Sequence, residues 1–280
     1  MADCTRCGRK LPAISFGSGG LCDNCRQAEQ DEIQPGGHAS QLISPWSTGP
    51  AVTLAIIGIN VAVYLAMVLN GVSPVEPTGQ QLVSWGADFG PYTVSGQSWR
   101  LLTSAFEHAG IIHIALNMWG LWVLGRVAEH IYDKGTFLGA YVLCGIGGGI
   151  ASLFWEPAVV MVGASGAIFG LLGLLLTTFW LGESSIARDY SRGMMANLLI
   201  YGAYSLYRGA TVPGISNSAH LGGLFTGLIL GGLMAPSLTN HPHQSRGLRW
   251  MILTGSAVAL FVLFQVVKAS VINSLQGIGS

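Results

Sequence analysis

Gly163-Ala164-Ser165-Gly166-Ala167-Ile168-Phe169-Gly170 opens an apolar run that continues without a charge to Leu181. About 20 such residues are what a helix needs to cross a bilayer. A serine set among glycines at the head of such a run can cap the helix, fill a close contact or act as a nucleophile. The residue type alone leaves all three open.

The rest of the chain places this run in a membrane. Of 280 residues half are apolar and 9% are charged, against about 25% charged in soluble domains. Seven apolar stretches lie near 51–70, 111–131, 136–155, 161–181, 194–209, 217–235 and 250–268, the fifth being the shortest, with 15 uncharged residues between Arg192 and Arg208. Strand-like alternation is absent from them, so they read as helices that satisfy their own backbone groups. A formal net charge of zero excludes a basic nucleic-acid surface. The first apolar stretch begins near Ala51, behind a polar head, so no secretory signal peptide is expected.

Charge sets the orientation. With the N-terminus inside and seven crossings, Arg6, Arg9, Lys10, Arg26, Arg126, Lys134, Arg188, Arg192, Arg246 and Arg249 fall inside, and Arg100, Arg208 and Lys268 fall outside. That bias follows the positive-inside rule. The 161–181 stretch then begins at the outer face, as do 111–131 and 217–235.

The polar head carries Cys4-x-x-Cys7, fourteen intervening residues, and Cys22-x-x-Cys25. Two such knuckles close a tetrahedron of four thiolates, the spacing of a structural zinc site. Two disulfides are the alternative, and placement in a reducing inner compartment argues for zinc. A closed four-cysteine site leaves no open coordination position for catalysis, which suits a module (residues 1–28) that docks a protein partner. Residues 29–50, with Pro35-Gly36-Gly37, Pro45 and Gly49-Pro50, read as a linker. Cys144 stands alone in the third stretch and is expected to pack.

Polar residues at membrane depth are costly and face a protein interior. Asn60 is expected to bond between helices. Arg126 and Glu129 near an inner end suggest an ion pair. The outer loop 71–110 is long for a connection, and its Trp85, Phe89, Tyr92 and Trp99 suit the membrane interface. Arg100 beside it needs a partner, Glu107 and Glu129 being the nearest acids by sequence. His108, His113 and Asn117 gather at the outer end of the second stretch, with His113 and Asn117 on one helix face. Either helix packing, a metal, or donors facing a watery cavity accounts for them.

Gly223, Gly227 and Gly231 recur every four residues, extended by Ala219, and Gly166 and Gly170 form a matching strip. Gly145, Gly147, Gly148 and Gly149 follow no strand, so they mark close helix contact rather than a nucleotide loop. Two glycine-faced helices packed together bring Ser165 and His220 to similar depth near the outer face. A serine nucleophile needs a base, and its oxyanion needs preorganised donors. Ser165, His220 and the pair His113 and Asn117 supply these parts. No His-Glu dipeptide exists for a zinc protease, no pair of aspartates lies within the spans, and position 167 is Ala where the soluble-hydrolase elbow has glycine.

Trp99-Arg100, His108 with His113 and Asn117, Gly163-x-Ser165-Gly166 and Ala219-His220-x-x-Gly223 occur in this order, and over about residues 50–235 the chain resembles the rhomboid intramembrane serine proteases. The resemblance implies a six-helix all-α membrane core over residues 51–235. An inner loop (236–249) and a seventh helix with its tail (250–280) follow. It implies Ser165 as nucleophile and His220 as general base. The Ser165 amide, His113 and Asn117 would form the oxyanion site, and Phe169 would pack against the catalytic histidine where the family often has tyrosine. Many members carry Asp at the position of Asn217, so the site here is expected to be a Ser-His dyad without an orienting carboxylate. Catalysis of this kind uses no cofactor. The implied substrates are single-pass transmembrane proteins cut near their outer ends, and the implied location is a bacterial cell membrane, with a cytoplasmic N-terminus and an active site open to the outer face. The other readings are a catalytically silent relative that binds or escorts membrane proteins, and a small-solute channel. A channel calls for polar residues through the inner half, where few occur.

Overall fold

Helices account for the ordered backbone, as expected where lipid offers no hydrogen bonds. The computed structural model describes Cys4, Cys7, Cys25, residues 49–181, parts of 196–211, 216–235 and 242–277. The chain divides into two compact units, Met1–Gly49 and Pro50–Ser280. In the first, the three described cysteines lie together; Cys22 is outside the described residues. The second unit begins where Pro50 ends the linker and supplies its carbonyl to the Leu54 amide. Helix α1 follows (Ala51–Leu69). Its first amides are satisfied from a distance: Glu129 accepts Val52 N–H at 2.9 Å, Thr53 N–H at 2.8 Å and the Thr53 hydroxyl at 2.8 Å. Glu129 therefore caps α1 and does not pair with Arg126, whose guanidinium lies 5.7 Å from the Trp122 ring centroid. A carboxylate near a helix N-terminus meets the positive end of the helix dipole, which explains the preference.

Residues 71–110 are built rather than loose. Short helices α2 (Gly79–Trp85), α3 (Gly90–Val94) and α4 (Arg100–Thr103) are followed by a tight turn over Ser104–Phe106. Thr78 and Gln81 close a reciprocal capping box on α2. Helix α5 (Ile111–Ile131) then descends from Gly110, whose φ of 103° and contact with the Val75 carbonyl both require glycine. Helix α6 (Lys134–Trp155) returns, capped by Asp133. Asp88 and Met161 form an isolated antiparallel bridge that pins the outer platform to the approach of α7 (Ser165–Leu181). Among the described residues no strand is longer than this bridge. The fifth apolar stretch is described in part, and its described residues are helical. Helix α8 (Asn217–Met234) and the long α9 (Pro242–Gly277) complete the unit.

Among the described residues, α1, α5, α6 and Arg246–Ser274 of α9 are long and apolar enough to cross a membrane; α7 is a shorter apolar helix of 17 residues. That shortness fits a central position. Every residue from Gly166 to Leu175 is buried, so α7 is wrapped by protein, while α1 and α9 leave apolar side chains such as Leu54, Ile59, Phe261 and Val262 exposed to lipid. Helix α9 begins well before Trp250, where the span was expected to start. Near its start it is tied by Arg249 to Asp133 at 3.5 Å. Its second half packs Phe264, Val267 and Val271 against Val94, Leu101, Ile150 and Leu153.

Glycines make the centre close-packed. A Cβ at Gly223 would strike the Gly166 carbonyl, and one at Gly227 would strike the Gly170 carbonyl. On the other side, Gly148 approaches the Ala219 carbonyl and the Gly166 Cα, and Gly147 seats the Thr226 hydroxyl. So α6, α7 and α8 meet backbone to backbone, as small-residue packing in membranes allows. Cys144 packs against Gly170 in the same seam. Asn60 differs from its expected role: its amide donates to Ile56 O of its own helix at 2.8 Å.

Candidate functional site

Three helix starts converge at the end of this seam where Ser165 lies. Ser165 is the first residue of α7, His113 the third of α5 and His220 the fourth of α8. The first amides of a helix have no partner within it, and the dipole there is positive. The chain enters α7 through Gly163 at φ 114°, a conformation that disfavours other residues, and Gly163 N–H donates to Ser104 O at 2.8 Å. This hydrogen bond ties the nucleophile candidate to the outer platform.

His220 and Ser165 belong to contacting faces. The His220 ring stacks on Phe169, with centroids 4.2 Å apart and planes 5° from parallel. Phe169 lies one turn below Ser165, so the ring that carries His220 rises along the same side of α7. The Ala219 carbonyl packs at Gly166, and the His220 ring is 4% exposed at the residue level. The stack fixes the imidazole plane in a place where Nδ1 has no hydrogen-bond partner. Asn217 does not supply one. Its amide nitrogen donates to Leu206 O at 3.2 Å, facing the helical residues 202–207. No hydrogen bond joins Ser165 to His220 in this resting state; such pairs are often long before substrate arrives.

His113 sits across from them. Its Nδ1 accepts the Ala109 N–H at 3.2 Å, which in a neutral imidazole assigns the proton to Nε2. That nitrogen points at the turn before Ser165, since a Cβ on Gly163 would lie 2.9 Å from His113 Nε2. Asn117, one turn below, donates to His113 O at 2.9 Å and is buried, with Oδ1 unpartnered. The primary amide keeps a second N–H for another acceptor. His108 packs edge-on against His113 at 5.2 Å and is itself buried.

The platform beside the site holds its own buried charges. Arg100 is 7% exposed and pairs with neither acid named as its nearest candidate. It donates to Gln97 Oε1 at 2.8 Å, Val83 O at 2.8 Å and Ala87 O at 2.9 Å, and lies over the rings of Trp99 and Tyr92. Glu107 is buried with both carboxyl oxygens unpartnered. Burial pushes its pKa up to about 8, with Arg100 pulling the other way. Asp88 accepts the Thr93 hydroxyl at 2.5 Å, and burial raises its pKa to about 6. His108 is pushed down to about 3, by burial first and by His113 next. At neutral pH these three groups are thus governed by desolvation rather than by ion pairing.

In the first unit, the sulfurs of Cys4, Cys7 and Cys25 lie within 4.8 Å of one another. Thiolates around a tetrahedral zinc at about 2.3 Å sit roughly 3.8 Å apart, so the three fit a metal-ligand cluster. Sequence reasoning passed over Glu129 as a cap, and over Glu156, Ser216 and Ser218 where α6 ends and α8 begins. Ser216-Asn217-Ser218 ahead of an apolar run was a visible helix-start signal; the distant carboxylates carried none.

Comparison with known proteins finds similarity over the part of the chain that carries these residues. Residues 95–237 match the model of the rhomboid domain. Over 178 residues the chain is 36% identical to the rhomboid protease GluP of Bacillus subtilis, covering 64% of this chain and 34% of that one. It is 27% identical over 217 residues to the rhomboid protease AarA of Providencia stuartii, covering 70% and 75%. A third similarity, 34% over 156 residues, is to the mitochondrial RHOMBOID-like protein 6 of Arabidopsis thaliana, covering 55% and 50%. The match thus spans a third to three quarters of these relatives' lengths. The family model covers just over half of the 280 residues and contains every polar group of the outer site, and the chain belongs to the rhomboid family.

Proposed function

We propose that the protein is an intramembrane serine endopeptidase that cuts single-pass transmembrane substrates near their outer ends, using Ser165 and His220 as a dyad. One observation carries the reading: Phe169, one turn from Ser165, holds the His220 ring in a parallel stack at 4.2 Å. A packing histidine has no need of that position at the head of a glycine seam. Ser165 Oγ attacks the scissile carbonyl as His220 takes its proton, and the Ser165 amide, His113 Nε2–H and the Asn117 amide receive the oxyanion. His220 then returns the proton to the leaving amine, which departs as the C–N bond breaks. Water, deprotonated by His220, attacks the acyl ester and releases the carboxylic acid and the serine. A helical substrate hides its carbonyls in its own hydrogen bonds, so it must unwind near the cut.

The charge bias along the chain supports a cytoplasmic N-terminus and an outer-face site in a bacterial cell membrane. The three clustered cysteines, with Cys22 as the fourth ligand, support a structural zinc that serves protein docking. Purified full-length protein is expected to cleave a transmembrane substrate, with Ser165→Ala and His220→Ala each slowing cleavage by about 10³-fold or more. Cleavage by either variant at the wild-type rate overturns the reading. Metal analysis is expected to return one zinc per chain, lost in Cys4→Ser; none in the wild type overturns the zinc reading.

A further inference from the structure

A polar network of five groups ties the end of α6 to the start of α8, and neither the seam nor the dyad uses it. Glu156, the residue that follows α6, accepts Ser218 Oγ–H at 2.6 Å and Ser216 Oγ–H at 3.1 Å through one oxygen, Oε2. Ser216 in turn caps α8, its hydroxyl oxygen accepting Ala219 N–H at 3.2 Å. Ser216 Oγ also lies 2.8 Å from Ser218 Oγ and 3.3 Å from the buried Ser152 Oγ on α6. The main-chain oxygen of Ser216 accepts His220 N–H at 3.3 Å. The Ser216 and Ser218 hydroxyls donate to the carboxylate, which leaves their mutual contact without a proton of its own, and the capping oxygen receives the amide.

We infer that Glu156 is a positioning residue for His220. It acts through Ser216 and Ser218, whose hydroxyls it accepts where α8 opens. Asn217 anchors the first turn of α8 toward Leu206, and toward α6 the anchor is Glu156. Glycines line the α8 contacts just below, at 222, 223 and 227. Glycine allows close approach but gives no side-chain detent against sliding or rotation. The clamp from α6 supplies that detent one turn ahead of His220. It also sets a carboxylate near the amides that open α8, where a negative charge is favoured. Small errors there matter, because a displacement of about 1 Å between reacting groups can cost about 100-fold in rate.

The inference rests on the proposed proteolysis, and the test separates the two. Full-length wild type, Glu156→Ala, Glu156→Gln, Ser218→Ala and Ser165→Ala are reconstituted with one transmembrane substrate. Rates are measured over a range of substrate concentration, and melting is followed in parallel. Glu156→Ala is expected to lower kcat about 10-fold with KM within about twofold. Glu156→Gln keeps an acceptor for the serine hydroxyls and is expected to recover most of that loss, and Ser218→Ala is expected to fall between them. A merely structural role would appear as lower melting temperature and yield with kcat per folded molecule unchanged. That result, or a loss confined to KM, overturns the inference. If Glu156→Ala does not fold, Ser218→Ala and Glu156→Gln carry the test, and wild-type kcat in both overturns it. A wild type as silent as Ser165→Ala overturns the proteolysis reading instead.

Discussion

The seam of α6, α7 and α8 and the platform of residues 71–110 are both buried, and they are held in opposite ways. In the seam, glycines let main chains touch, and the stabilisation is dispersion between close surfaces with hardly a polar side chain involved. In the platform, the main chain is irregular, and its free carbonyls are satisfied by a buried guanidinium, with two carboxyls sealed nearby. The seam is insensitive to solution conditions and intolerant of volume. The platform, which has tight glycine contacts of its own at Gly90 and Gly110, also responds to protons. The site lies where they join, at the Gly163 amide bonded to Ser104 and at His113 against Gly163.

The seam should break most severely. Gly223→Ala drives a methyl into the Gly166 carbonyl and is expected to cost roughly 3 kcal/mol or more. Activity should fall with it, because Ser165 and His220 part; equal melting and activity in the variant would contradict the close contact. Arg100→Ala is the platform's counterpart. It strands the carbonyls of Val83 and Ala87 and is expected to cost about 2–3 kcal/mol. The loss should appear in thermal melts in detergent, while the Phe169–His220 stack persists.

Phe169→Leu sharpens the contrast by keeping apolar volume and removing the ring. We expect about a 10-fold lower kcat with a modest change in melting, which separates ring alignment from filling.

Protons address the platform. The Glu107 carboxyl has its folded pKa raised from 4.5 to about 8. Below 4.5 both folded and unfolded chains hold the proton, and no penalty exists. Between 4.5 and about 8 the unfolded chain releases it and the folded chain keeps it, so stability declines as pH rises. Asp88 acts in the same direction between 3.8 and about 6, whereas His108, lowered from 6.5 to about 3, acts in the opposite one. Comparing Glu107→Gln with wild type cancels the other two. The variant's advantage in melting temperature is expected to grow as pH rises toward 8, and a constant difference would show that Glu107 is not sealed.

The smallest effect is expected at the inner end. Glu129→Gln weakens the cap on α1 by about 1 kcal/mol. Activity should remain, because α1 carries none of the site residues.

Much of the seam was legible in the residues. A glycine every fourth position at 223, 227 and 231, with 166 and 170 to match, specifies a smooth helix face, since that period depends only on helix geometry. Two such faces meeting was the ground for expecting Ser165 and His220 at similar depth, and His220 stacks on Phe169, one turn from Ser165. The platform was not legible in the same way. Arg100 was matched to acids because residue letters display charge, and they do not display main-chain carbonyls left over by a broken helix. Glu129 was matched to Arg126 for the same reason, although its partners are amides 76 and 77 residues away.

What the sequence determined by itself is therefore the lipid-facing helices, the glycine seam and the residue types at its outer end. These follow from composition and period, which local geometry converts directly into faces. The tertiary structure alone decided which buried polar groups meet. A buried group is satisfied by whichever donor or acceptor remains free once the helices have packed, and that remainder is a property of the folded backbone. Hence Arg100 turns to carbonyls and the half-buried Glu129 to the start of α1.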